Sequence, residues 1–169
     1  VSLTADGRMS DGDSYEGCVS DNGRFVAFYS NAANFASPDA PDESGLNDVF
    51  LADRNKGTVE LVSRTPSGAP GDNESYYPAM SSNGRYVLYA TQAGDIVPLP
   101  GDGPPNLQLV LFDRKRGTSR LVTASPTGDA GNGQTNPYNT RPLSGNGRWA
   151  VFTSRADNLI TNDGNNFSD

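Results

Sequence analysis

The chain has no histidine and a single cysteine, and both shortages close off chemistry. Without histidine there is no imidazole general base, no Ser-His-Asp triad and no histidine metal ligand. Cys18 alone allows neither an internal disulfide nor a cysteine zinc site, and its place before an apolar run predicts a small buried residue. Apolar residues are also scarce, 34 % of 169, against an ordinary share of about 45–50 %. No apolar run approaches the roughly 18 residues of a membrane-spanning helix, so no membrane insertion is expected. Basic residues are outnumbered 13 to 20, for a net charge of −7. That balance argues against nucleic acid and anionic membranes, which need clustered Lys and Arg. It leaves open a hard cation held by oxygen ligands. Neither an initiator Met nor a signal peptide opens the chain at Val1, which predicts a processed protein or an internal piece of one.

What the chain has in abundance is turn chemistry, with 19 Gly and 12 Pro, and it has repetition. Asn-Gly-Arg followed by an aromatic and an apolar run occurs three times: Asn22-Gly23-Arg24-Phe25-Val26-Ala27-Phe28, Asn83-Gly84-Arg85-Tyr86-Val87-Leu88-Tyr89 and Asn146-Gly147-Arg148-Trp149-Ala150-Val151-Phe152. The glycines stand 61 and 63 positions apart. A second signature, Val49-Phe50-Leu51-Ala52-Asp53-Arg54, returns as Val110-Leu111-Phe112-Asp113-Arg114. Each copy passes through Gly57-Thr58 or Gly117-Thr118 into Glu60-Leu61-Val62-Ser63 or Arg120-Leu121-Val122-Thr123. A polar Gly-rich stretch precedes each Asn-Gly-Arg. The repeat units run 1–61, 62–121 and 122–169.

Each unit reads as short antiparallel strands. Phe25 to Tyr29 is nearly continuous in apolar residues, as in a strand covered on both faces. Asn-Gly tolerates positive φ and so turns one strand onto the next, while Lys56-Gly57 and Arg116-Gly117 suit a second hairpin. No window shows a capped helical period. A unit of about 60 residues built this way is a β-propeller blade. The recurrence of Arg24, Arg85 and Arg148 with Asp53 and Asp113 predicts an ion pair or turn contact within each blade rather than a substrate clamp.

The residues resemble the WD40-like PD40 repeats of TolB-type β-propeller proteins, whose blades carry a Ser-x-Asp/Asn-Gly-Arg-aromatic stretch and an Asp-Val-Phe-x-x-Asp-Arg stretch. Ser20 to Phe28 and Asp48 to Arg54 carry the likeness. It implies an all-β propeller segment of about three blades, the last incomplete. Closed propellers use about four to eight blades, so the segment is expected to belong to a larger propeller or to be completed by oligomerisation.

In the third unit Asp163, Asn165 and Asp169 place oxygens at i, i+2 and i+6, a spacing that lets a loop wrap calcium. The resemblance implies a calcium loop here. Asp39 and Asp48 are the candidates in the longer loop of the first unit, and in the second Gln108 replaces the closing acid. The same residues also make ordinary Asx turns without any ion. Calcium is the one cofactor indicated. Tyr15, Tyr76, Tyr77 and Tyr138 lie in or beside the segment feeding the inner strand. They would gather on one rim as a glycan or peptide surface, or else pack between adjacent blades. No carboxylate stands in an apolar setting that would raise its pKa for proton donation, so catalysis is not expected.

The function read from the sequence is therefore a non-catalytic binding or assembly module of an exported bacterial propeller protein, extracellular, at the cell surface or periplasmic. Its partner is a protein or a second copy of itself. The alternatives are the gating propeller of a larger hydrolase or peptidase, and a glycan-binding propeller.

Overall fold

A computed structural model describes residues 4, 7–35, 44–97, 106–136 and 142–161. The fold is all-β; the single helical element among these residues is a 3₁₀ turn, Ala33–Phe35. The first sheet contains β1 (Ser14–Val19), β2 (Phe25–Ser30), β3 (Asp48–Asp53) and β4 (Thr58–Leu61), paired antiparallel in that order. The second repeats it with β5 (Ser75–Met80), β6 (Tyr86–Thr91), β7 (Gln108–Asp113) and β8 (Thr118–Leu121). Among the described residues the third sheet has two short strands, β9 (Thr135–Asn136) and β10 (Thr153–Ser154), with a bridge between Leu143 and Ala150 nearby. These four-stranded antiparallel meanders are propeller blades.

The repeated triplet forms the turn between the first two strands of each sheet. Ser20 hydroxyl bonds Asn22 at 2.9 Å and accepts the Phe25 amide at 2.9 Å, while Asn22 accepts the Arg24 amide at 3.1 Å. Ser81 and Asn83 do the same before Tyr86, and Ser144 and Asn146 before Trp149. Gly23, Gly84 and Gly147 all adopt φ near +70° (70°, 69° and 71°), which favours glycine.

Alternation along the strands then makes two faces per sheet. Phe25, Ala27, Val49 and Leu51 on one face of the first sheet form a single core cluster with Val87, Tyr89, Val110 and Phe112 of the second. The opposite face of the second sheet (Leu88, Ala90, Leu109, Leu111) clusters with Leu143, Ala150 and Phe152 of the third. Sheet thus follows sheet by the same packing rule. On the outer side of the first sheet Phe28, Phe35 and Phe50 bury one another, with ring centroids 5.2–5.8 Å apart.

Candidate binding surfaces

The ion pairs form in the first two sheets. Arg24 clasps Asp53 through two bonds of 2.9 and 2.7 Å, and Arg85 clasps Asp113 through two of 3.0 and 2.8 Å. Both acids end the third strand of their sheet, directly across from the aromatic that follows the arginine. The guanidinium holds each carboxyl below its ordinary range, Asp53 at about 2. Arg148 has no carboxylate partner among the described residues.

Tyr15, Tyr76 and Tyr77 meet around a fourth ring, Tyr29. Tyr15 stacks on Tyr29 with centroids 5.4 Å apart, and Tyr76 and Tyr77 of the second sheet meet Tyr29 edge-on at 6.3 and 6.1 Å. Tyr76 and Tyr77, both half-buried, therefore bridge the first two sheets. Tyr15 is 45 % exposed, and its hydroxyl donates to Asp13 at 3.1 Å. It offers a flat apolar face beside a carboxylate, the chemistry that a sugar ring or a peptide contacts. β-Bulges make this arrangement. Pairing shifts between Tyr15 and Cys18 and between Tyr76 and Ala79, and Glu16 and Tyr77 take positive φ of 29° and 57° at these points. Nothing in the sequence marks the bulges. Tyr138 lies outside the described residues, as do Asp39, Asp163, Asn165 and Asp169.

Asp48, the remaining calcium candidate, is buried, and its carboxylate accepts the Ser63 hydroxyl at 2.5 Å. The neutral Gln108 accepts the Thr123 hydroxyl at 2.6 Å at the matching place in the second sheet, so this position serves the sheet whether or not it is charged. Among the described residues no three His, Cys, Asp or Glu side chains gather as a metal site. Many Asp and Asn residues instead clasp one loop to another. Asp11 and Asn34 exchange amide-to-side-chain bonds, as do Asp72 with Gly94 and Asp95, and Asn132 with Asp157 and Asn158.

Burial pushes the Glu60 carboxyl on β4 up, against the opposing charges of Arg64, Arg114 and Lys56, and Arg64 pairs with it at 3.7 Å. Cys18 packs against the inter-sheet core, and burial raises its thiol to about 11.

On the third unit Trp149 is 73 % exposed and Val151 64 %. Their counterparts in the preceding sheets are covered. Phe25 lies beneath Gly84, and Tyr86 beneath Gly147, so closely that a Cβ on either glycine would collide with the ring. The Arg114 guanidinium also stacks on Phe25 at 4.1 Å. Beside Tyr86 there is instead a cavity of about 310 Å³ bordered by Arg116, Arg120 and Arg148.

No protein-family model and no curated protein matches the chain, so the PD40 likeness stands on the residues quoted above. Among solved structures the chain is similar to one described as TolB from Agrobacterium tumefaciens, with 17 % sequence identity and a TM-score of 0.41 over 65 % of the chain. It spans 33 % of that structure's length.

Proposed function

We propose that the chain is a non-catalytic propeller module that works by presenting blade faces to another macromolecule, within an exported bacterial protein. One observation carries this reading: Trp149 and Val151 stand exposed, whereas their counterparts Phe25 and Ala27, and Tyr86 and Leu88, pack against the following sheet. Burying an aromatic of that size against a partner is a large hydrophobic gain, and exposed patches of this kind mark interaction sites. The test places a photocrosslinking residue at position 149 or, as control, at Lys56 in the exposed hairpin turn, in an extract of the producing cells. Adducts with a macromolecule are expected from 149 and not from 56. No adduct from 149 removes the reading.

Calcium in this reading braces the third loop through Asp163, Asn165 and Asp169. EDTA should then lower the melting temperature, and Asp163→Ala with Asp169→Ala should abolish that response. Melting indifferent to EDTA excludes the ion.

A further inference from the structure

We infer that the stacked rings of Tyr15 and Tyr29, with the carboxylates of Asp13 and Glu16 beside them, form a site for an arginine side chain of a partner polypeptide. The site is separate from the surface around Trp149 and goes beyond the module reading without using that surface. Tyr29 packs against the core shared by the first two sheets, and Tyr15 stacks on it at 5.4 Å, so the pair lies on the side turned to the second sheet. Tyr76 and Tyr77 border it there, edge-on to Tyr29. Tyr15, Asp13 and Glu16 are exposed.

The repeat supplies its own control. Ser75 pairs with Thr91 as Ser14 pairs with Ser30, and in both sheets a bulge follows in which two residues oppose one. Yet Tyr76 faces Ala90 where Tyr15 faces Tyr29, and Tyr77 stands where the first sheet has Glu16. In the third unit Asn136 faces Thr153 at the place of Tyr15 and Tyr29. The strand pair forms without the stacked rings, and the bulge forms without the acid. Making a blade therefore accounts for neither.

The charge around the rings has one sign. The Tyr15 hydroxyl donates to Asp13 at 3.1 Å, and that bond and that charge raise its pKa. The Tyr29 hydroxyl is raised by burial and then by the Glu16 carboxylate, which is thus within electrostatic reach of the ring. Among the described residues neither acid is paired with Lys or Arg, and the guanidinium–ring stacks fall on Phe25, Phe112 and Tyr86 rather than on Tyr15 or Tyr29. The clasp arginine Arg24 stands before Phe25, at the far end of β2 from Tyr29. A phenol whose proton is drawn towards a carboxylate has a more electron-rich face, and such a face attracts a cation. A guanidinium suits both parts of the site, being flat for the ring and forked for a carboxylate.

The test titrates the whole chain with acetyl-Gly-Arg-Gly-amide and follows the tyrosine ring signals by nuclear magnetic resonance, assigned with Tyr15→Phe and Tyr29→Phe. Saturable shifts of the Tyr15 and Tyr29 signals are expected. The citrulline peptide, equal in shape but neutral, should bind about tenfold more weakly, the combined worth of a cation–ring contact and an exposed charge pair. Asp13→Asn with Glu16→Gln should weaken the arginine peptide to the same extent while leaving the circular dichroism spectrum unchanged. Tyr15→Leu should weaken it too, and the exposed carboxylate pair decides the matter if that variant disturbs the sheet. Equal affinity for the citrulline peptide, binding indifferent to the loss of both carboxylates, or no shift of either ring signal overturns the inference. So would shifts caused by chitotetraose with the arginine peptide inert, which would make the rings a sugar platform. Arginine-peptide binding without crosslinks from position 149 would remove the reading given to the Trp149 face and leave this site standing.

Discussion

At the scale of single residues, the two arginine–aspartate clasps set how the protein responds to acid. Asp53 has its folded pKa lowered to about 2, chiefly by the Arg24 hydrogen bonds; its unfolded value lies near 3.9. A lowered folded pKa means that the unfolded chain takes up the proton first. The stabilisation is therefore complete above about pH 4 and disappears as pH falls towards 2. Asp113 is shifted in the same direction by Arg85. Arg24→Met with Arg85→Met should lower stability at neutral pH and flatten its decline between pH 4 and 2, as read by urea titrations at each pH. A decline as steep as wild type would show that other carboxylates control it. These clasps were legible in the sequence, because Arg and Asp recur at fixed places in each unit. The tyrosine group was only half legible: spacing put Tyr15, Tyr76 and Tyr77 near the first strand of each sheet. Their meeting at Tyr29 depends on bulges that have no sequence signal, since Glu16-Gly17 and Tyr77-Pro78 take different residues to the same irregularity.

At the scale of the element, the Asn-Gly-Arg turn does two separate things, and glycine substitutions separate them. All three glycines need positive φ, which costs an alanine about 1–2 kcal/mol. Gly84 and Gly147 also face an aromatic ring of the preceding sheet, whereas Gly23 does not. Gly23→Ala should therefore cost only the conformational term. Gly84→Ala should cost a further ~1–3 kcal/mol of overpacking as the Phe25 ring is displaced. Denaturant unfolding of the two variants measures the difference, and equal losses would mean that the sheets move apart without penalty. The turn itself was readable, since Asn-Gly before an apolar run has few other uses. Its role between sheets was not, because a glycine required by φ and a glycine required by a neighbouring ring look the same in sequence. The calcium spacing has a similar ambiguity in sequence. Asp and Asn are needed throughout to tie loops together, as Asp72 ties Gly94 and Asp95, and that use masks any ligand pattern among them.

At the scale of the whole molecule, the units were legible because each buries its faces against the next, and the repeated sequence reports that repeated burial. The sheets are joined by main-chain bonds from Asp21 to Ser82 and from Ser82 to Gly145, by rings beneath glycines and by aliphatic faces. The joint has a consequence for how such a chain changes over generations. A junction made of carbonyls, amides and an absent methyl group carries no address. Units that share a Ser-x-Asn-Gly-Arg turn share this part of the joint, so a gene that gains or loses a whole unit keeps the same main-chain bonds at the seam.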